Sequence, residues 1–244
     1  MGWFSAFFCT STSPQEHSNL VFSGIVARSL TVGYAQSGLQ SGFTMLTPQF
    51  VPVDGSGQIA LDDLQPVGDD IDTDGAINIQ TLNFGGVTVD TYQWIDWGDP
   101  KGWCDDTYTL VEGVTFKNGD GLWVQGAGTG ASIQSAGKVG KEDVVVQLRP
   151  GFTATGNSFP VSVNLQDIIV EGKDVDTDGA INIQTLNFGG VTVDTYQWID
   201  WGDPKGWCDD TYTLVENVTF APGQGLWVQG SKTTEYLRFP APEL

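Results

Sequence analysis

The sequence predicts an all-β protein made of two tandem β-sandwich modules of the Ig-like or jelly-roll-like kind. The first observation is an internal repeat: the segment from Asp72 to Glu112 returns letter for letter from Asp176 to Glu216, an offset of 104 residues in a chain of 244. The second is the composition, because 32 glycines, 11 prolines and 9 tryptophans are typical of short strands joined by tight turns. The third is apolar and polar alternation in short segments such as INIQTLN and DVVVQLRP.

The repeat also predicts the domain organisation. An offset of 104 residues favours two ordinary domains, each with about seven strands, over one large domain. We place module 1 at residues 30–139 and module 2 at residues 140–244. Residues 1–29 match nothing in the second half, so they form an N-terminal extension. This extension is either an export segment or a strand donated to a neighbouring subunit, and an edge strand within the same chain is the competing interpretation.

Three segments give finer strand predictions. TYTLVEGVTF predicts a strand with Tyr108, Leu110, Val114 and Phe116 on one face if Gly113 forms a bulge. GLWVQG predicts a short strand that closes each module. YLRFPAPEL predicts a last strand that is stopped by its two prolines.

The charge limits the classes of partner. Thirty acidic against ten basic residues give a formal charge of −20, which argues against nucleic acid because a polyanion requires a basic face. The acidic surface either keeps an exported protein soluble or is arranged for calcium. No run of 18 apolar residues occurs, so we expect no membrane span.

The best candidate for a ligand site is an acidic loop that opens each repeat. Its D-x-D-x-D-G-x-I-N spacing resembles the first half of calcium loops of the EF-hand and dockerin kind. At loop position 12, Thr81 and Thr185 replace the carboxylate that completes such a site. The alternatives are therefore a calcium site and an acidic turn without metal. The candidate ligands are Asp70, Asp72, Asp74 and Asn78, with Asp174, Asp176, Asp178 and Asn182 in the second copy.

An aromatic segment in each repeat is the second candidate site. It reads YQWIDWGDPKGWCDD, with acidic residues beside the rings. Tryptophan rings stack on the apolar face of a sugar while carboxylates bind its hydroxyls, so one interpretation is a glycan platform. The other is a sandwich core or a subunit interface, where aromatic residues also dominate. The candidate residues are Tyr92, Trp94, Trp97, Trp103, Tyr196, Trp198, Trp201 and Trp207.

Residues for redox or catalytic chemistry are few. Cys104 and Cys208 are repeat equivalents and Cys9 is left over, so we expect free, half-buried thiols, with an intermolecular disulfide as the alternative. We expect no enzymatic activity, because the one histidine, His17, lies outside the repeats. The sequence also has no HExxH, GxSxG or P-loop motif.

Several segments carry a family resemblance: VGYAQ followed by GFTMLTPQFVPV, INIQTL, TVDTYQWID, VTFAPGQGLWVQG and the terminal LRFPAPEL. In these segments the chain resembles a family of exported, repeat-containing bacterial proteins of the Verrucomicrobia and Lentisphaerae group. The resemblance covers nearly everything after about residue 30, and GLWV and FPAPEL are its most specific elements. It implies an extracellular or cell-surface location, and it implies no particular activity.

These observations lead to two functional expectations. The first is an extracellular structural subunit whose copies assemble head to tail into a filament or surface layer, with the N-terminal extension completing a neighbour's sheet. The second is a carbohydrate-binding adhesin that uses the tryptophan-rich loops and is stiffened by calcium. The expected partners are copies of the chain itself or glycans, and calcium is the one candidate cofactor.

Overall fold

The computed structural model describes residues 32–53, 56–68, 71, 77–83, 86–126, 130–172, 175, 180–187, 189–200, 202–203, 205–232 and 234–243. The predicted extension over residues 1–29 lies outside these ranges, as do Cys9, Trp201 and the six candidate aspartates of the acidic loops. The regular secondary structure of the described chain consists of β-strands and two single 3₁₀ turns, at Leu61–Asp63 and Leu165–Asp167. The predicted all-β fold class is therefore confirmed. No helix in these ranges has the length and apolar character needed to cross a membrane.

Ten strands form in each half of the described chain, more than the predicted seven, because several are pairs of only two or three residues. The first half contains β1 (Val32–Gly38), β2 (Gly42–Leu46), β3 (Gln58–Ala60), β4 (Gln65–Val67), β5 (Asn78–Leu82), β6 (Thr88–Asp96), β7 (Lys101–Cys104), β8 (Thr115–Lys117), β9 (Leu122–Gly126) and β10 (Ser132–Lys138). The second half contains β11 (Val144–Gln147), β12 (Gly151–Gly156), β13 (Val163–Asn164), β14 (Ile169–Gly172), β15 (Asn182–Leu186), β16 (Thr192–Ile199), β17 (Gly206–Cys208), β18 (Thr219–Phe220), β19 (Gly225–Gly230) and β20 (Glu235–Phe239).

The two halves have the same sheet order. A five-stranded antiparallel sheet runs β2-β9-β5-β6-β7 in the first half and β12-β19-β15-β16-β17 in the second. A three-stranded sheet runs β1-β10-β4, matched by β11-β20-β14. A two-stranded ribbon joins β3 to β8, matched by β13 and β18. Each of these sheets takes its strands from one half only.

A buried apolar core lies between the large and the small sheet of each half, as in a β-sandwich. In the first half, Ile79 and Val124 contribute from the five-stranded sheet and Ile133 from the three-stranded sheet. In the second half, Val228 and Leu237 occupy one core in the same way. Each fully buried side chain of this kind contributes about 1.5–3 kcal/mol to folding, so the alternation in the sequence has a direct energetic basis.

One tryptophan in each core is held by a hydrogen bond as well as by packing. Trp103 is 1% exposed, and its indole Nε1–H donates to the carbonyl oxygen of Leu64 at 2.9 Å. Trp207 is 0% exposed and donates to the carbonyl oxygen of Ile168 at 3.1 Å. Both acceptor residues end the 3₁₀ turns of their halves. The hydrogen bond therefore ties each turn to the strand that carries the tryptophan.

The two halves contact each other through reciprocal backbone hydrogen bonds. The Thr47 N–H, just after β2, donates to the Gly223 carbonyl oxygen at 3.0 Å. In the opposite direction, the Gly121 N–H donates to the carbonyl oxygen of Ala154, in β12, at 3.1 Å. In each case the outer strand of one large sheet, β2 or β12, contacts the residues just before β19 or β9 of the other half. The two halves are related by an approximate two-fold axis.

Turn glycines and tryptophans make this two-fold relation explicit. A Cβ atom on Gly86 would lie 2.7 Å from Cζ2 of Trp227, and a Cβ on Gly190 would overlap the ring of Trp123 in the same way. Both glycines also have positive φ values, 72° and 77°. The turn of each half therefore packs directly on the tryptophan of the other, and only glycine fits there.

The structure corrects the strand predicted over TYTLVEGVTF. Tyr108 has a φ of 60°, and Leu110 makes only an isolated bridge with Cys104, so most of the segment is a loop. Tyr108 and Leu110 are 43% and 47% exposed, whereas Phe116 is buried in β8. The physical reason is that the Asp105 carboxylate accepts hydrogen bonds from the backbone N–H groups of Thr107 and Thr109. In a continuous strand these N–H groups would bond to a neighbouring strand.

The strands predicted for GLWVQG and for the C-terminal YLRFPAPEL are both present, but only the second lies where it was predicted. GLWVQG does not close either module, because β9 and β19 lie inside the five-stranded sheets and β10 and β20 follow them. Strand pairing with β2 and β12, which the local sequence does not encode, places them there. The last strand is confirmed, since β20 ends at Phe239, immediately before Pro240.

Replacing Trp103 with Phe should destabilise the first half. The variant loses the indole donor and leaves the buried Leu64 carbonyl oxygen without it, which costs about 1–3 kcal/mol. Urea unfolding should therefore begin at a lower denaturant concentration. The matched control is Trp97→Phe at a position that is 54% exposed, and it should change stability by less than about 0.5 kcal/mol. Equal unfolding curves for W103F and the unmodified protein would contradict the role of this bond.

Candidate functional site

Of the eight candidate calcium ligands, the structure describes only Asn78 and Asn182. Asn78 Nδ2 donates to Gln125 Oε1 at 2.6 Å, and Asn182 Nδ2 donates to Gln229 Oε1 at 2.7 Å. Both asparagines are buried in their five-stranded sheets. Within the described ranges, no group of three or more His, Cys, Asp or Glu side chains is placed to hold a metal ion. Calcium binding by these loops stays a prediction, because their aspartates lie outside those ranges.

The aromatic segment divides into buried and exposed residues. Trp103 and Trp207 are completely buried, and Trp94 is 7% exposed with its ring edge-on to Trp103 at a centroid distance of 5.4 Å. These rings cannot stack on a sugar or touch a partner, which corrects the glycan role considered for Trp103 and Trp207. The partly buried residues of the segment are Tyr92, Tyr196 and Trp198.

Trp97 and Tyr108 form the exposed aromatic pair of the first half. Their ring centroids are 5.5 Å apart with an interplanar angle of 29°, so the rings are stacked. They are 54% and 43% exposed. Asp96, adjacent to Trp97, forms an ion pair with Lys101 at 3.0 Å. In the second half, Tyr212 repeats both the exposure and the positive φ of Tyr108.

A loop centred on one carboxylate holds Tyr108 outward. Asp105 Oδ1 accepts hydrogen bonds from the Thr107 hydroxyl at 2.7 Å, the Thr107 N–H at 2.9 Å and the Thr109 N–H at 3.0 Å. These bonds favour the ionised carboxylate, and the Thr107 hydroxyl makes the largest contribution to the lowered pKa of Asp105. The same bonds and the same pKa direction recur around Asp209. The left-handed backbone of the tyrosine, rare for a bulky residue, is thereby stabilised.

The two described cysteines are not available for exchange with a partner. Cys104 and Cys208 form no disulfide and are both 0% exposed, so they are more deeply buried than the half-buried thiols predicted from the sequence. Burial, followed by the charge of Asp105, raises the pKa of the Cys104 thiol. A disulfide between these two residues is absent from the described structure.

Among the described residues, β1 is a long outer strand with no neighbour on its outer side. Its seven residues, VGYAQSG, pair with β10 in continuous register from Val32 to Gly38 without a bulge. The strand contains no charged residue and no proline, and Val32 and Tyr34 are 59% and 60% exposed. Its outer side has no strand partner among the described residues. Natural proteins usually protect such an edge, because its free N–H and C=O groups accept another strand.

The other outer edges of the described sheets are short, carry charge or proline, or are covered. β11, the counterpart of β1, has four residues and is preceded by Lys141, Glu142 and Asp143. β4 contains Pro66, β14 carries the Glu171–Arg238 ion pair, β7 begins at Lys101, and Lys205 immediately precedes β17. The strands β3, β8, β13 and β18 have only two or three residues, and β2 and β12 lie at the contact between the halves. The two halves thus share a fold but differ at this one edge.

Comparisons with known proteins give no family assignment. No family model, curated protein or solved structure matches the chain. Function must therefore be inferred from the surface features themselves.

Two features were not predicted from the sequence: the exposed Tyr108 and the position of β1 at a sheet edge. For Tyr108 a signal is present, because an aspartate followed by threonines at the second and fourth positions is typical of side-chain-capped turns. For β1 the lack of charge is visible in VGYAQSG, but a strand becomes an edge only through its position in the sheet.

Acid should loosen the Tyr108 loop. The pKa of Asp105 is lowered in the folded protein, so its contribution to stability is present above the unfolded value of about 3.9 and is lost as the pH falls through the folded value. The Trp97 indole N–H resonance, followed by NMR, should therefore shift below about pH 4. The control is Asp105→Asn, which keeps an acceptor oxygen but cannot titrate. An identical acid shift in that variant would assign the transition to another group.

Proposed function

We propose that the protein is an extracellular structural subunit that assembles with copies of itself into a filament or surface layer by strand addition at β1. The observation that carries this proposal is the contrast between β1 and its counterpart β11. The same fold has an outer strand of four residues preceded by three charged residues in one half, and an uncharged outer strand of seven residues without a described outer neighbour in the other. A protein that gained nothing from strand addition would be expected to protect both edges.

The chemistry of β1 suits association of a highly charged protein. Two chains of formal charge −20 repel each other, which opposes contact between most parts of their surfaces. β1 carries no charge, and a strand added to it gains backbone hydrogen bonds that do not depend on side-chain charge. Val32 and Tyr34, both largely exposed, supply apolar surface to the same joint.

The proposed occupant of this edge is the N-terminal extension of a second copy. The extension contains an apolar segment, Leu20 to Ala27, and it directly precedes β1 in the chain. One acceptor edge and one donor segment per chain give a head-to-tail contact, which produces an open polymer unless a ring closes. The family resemblance supports the extracellular location.

Deleting residues 1–31 should convert the protein from polymers to monomers, because the donor segment is removed while β1 remains. The double variant Val32→Lys, Tyr34→Lys should have the same effect from the acceptor side, since lysines on an edge strand disfavour strand addition. Negative-stain electron microscopy and light scattering after size-exclusion chromatography measure both.

The matched control places one lysine on the equivalent strand of the second half. Val145→Lys, at a position that is 51% exposed in β11, should leave the polymers unchanged. Polymers that persist in the truncated protein would contradict donation by the N-terminal segment. Polymers that persist in V32K/Y34K would contradict the role of β1.

A second candidate function, glycan adhesion, is favoured by the Trp97–Tyr108 pair. The rings are stacked, exposed and held by the Asp105 loop, so little side-chain entropy is lost when a ligand binds. The neighbouring Asp96 carries a carboxylate that hydroxyl groups can approach. The second half repeats this sequence, so we expect an equivalent site there and bivalent binding.

Replacing Trp97 and its repeat equivalent, in the variant Trp97→Ala, Trp201→Ala, should remove every glycan-array signal that depends on the Trp97–Tyr108 pair. Loss of ring stacking should weaken each site about tenfold, and the loss of two sites together also removes avidity. Trp97→Phe, Trp201→Phe is the control, since it keeps a ring at each position and should retain binding. Absence of array binding by the unmodified protein would remove this candidate function.

A further inference from the structure

A cavity of about 270 Å³ lies between the two five-stranded sheets. Both halves line it with the same residue types: one tryptophan, one threonine, one leucine and one turn glycine from each, together with Gln184. The tryptophans are Trp123 and Trp227, and the threonines are Thr88 and Thr192. Each half contributes only part of the wall, so the cavity exists only where the two halves meet.

Among the described residues that line this cavity, none carries a charged side chain. This is unusual in a chain with 30 acidic residues, and it disfavours both ionic ligands and metal ions. A ligand of this site is therefore neutral.

The two tryptophans are held rigidly. Trp123 stacks on Phe43 and Trp227 on Phe152, each at a centroid distance of 5.4 Å with interplanar angles of 18° and 21°. The turn glycine of the opposite half packs against each indole from another side. Aromatic walls that are already fixed in place lose little entropy when a flat apolar surface packs on them.

The threonine hydroxyls are oriented by a chain of hydrogen bonds. Gln184 Nε2 donates to Asn182 Oδ1 at 3.3 Å, so its Oε1 is the atom that faces the Thr192 hydroxyl at 3.0 Å. Because an amide oxygen can only accept, the threonine donates, and its oxygen lone pairs remain to accept from a ligand. Thr88 makes the same bond to Gln80 at 3.0 Å. The cavity therefore offers hydroxyl acceptors from both halves.

We infer that this cavity binds the ring of a neutral saccharide, free or at the end of a chain. Sugar rings combine apolar faces, which pack on tryptophan, with hydroxyl groups that donate to the threonine oxygens. The cavity volume lies near the lower end of the roughly 300–1,000 Å³ of small-molecule sites, which suits one or two sugar units. The site is independent of the proposed assembly at β1 and of the Trp97 surface.

Binding of glucose, galactose, N-acetylglucosamine, cellobiose and lactose to the full chain tests this inference. Saturation-transfer NMR and tryptophan fluorescence at millimolar concentration should show saturable binding of at least one of them. The same sugar should raise the melting temperature, because it contacts both halves. Arrays that present these sugars at chain ends form the second arm, and binding in either arm supports the site.

Matched variants separate the cavity from the other surfaces. Thr88→Val, Thr192→Val keeps the side-chain shape and should weaken binding about tenfold for each hydroxyl lost. Thr88→Ser, Thr192→Ser keeps the hydroxyls and should retain binding, as should Trp97→Ala, Trp201→Ala. The inference is overturned if none of the five sugars binds in either arm, or if the valine variant binds as tightly as the unmodified protein.

Discussion

Each half of the protein depends on a buried tryptophan that must find a hydrogen-bond acceptor inside an apolar core. The indole of Trp103 fills the space between the two sheets, and its N–H reaches the carbonyl oxygen at the end of a 3₁₀ turn. That bond places the turn, and the turn leads directly into β4 of the small sheet. Trp207 does the same in the second half. Sheet separation and turn position are therefore set by a single side chain.

The contact between the halves adds a constraint that acts across the whole chain. Gly86 packs on Trp227 and Gly190 packs on Trp123, so the same glycine–tryptophan contact occurs twice between the halves. A reciprocal interface of this kind requires the same glycine and tryptophan in both copies. This offers a physical reason for the identity of the repeats at these positions. It also creates a shared cavity that a single module does not possess.

The two halves diverge where their surroundings differ. The first three-stranded sheet ends in a long uncharged strand, whereas the second ends in a short strand preceded by charged residues. Most core residues and cavity walls have counterparts in both halves, whereas the outer strands β1 and β11 differ in length and in flanking charge. A protein of high negative charge has few neutral places through which its copies can approach each other. β1 is such a place.

The sequence by itself determined the all-β class and the core alternation, because strand periodicity and glycine-rich turns are local properties of the chain. It also singled out the aromatic segment of each repeat. Only the tertiary structure decided which rings are buried: Trp103 and Trp97 occur in the same segment, yet one fills the core and the other is exposed. Tyr108 was predicted to lie on one face of a strand with Leu110 and Phe116. It lies instead in an exposed loop, because the Asp105 carboxylate accepts hydrogen bonds from backbone N–H groups that a strand would pair with its neighbour. The position of β1 at the outside of its sheet in the described chain and the cavity between the halves likewise depend on which distant strands pair and pack, and neither property is encoded locally.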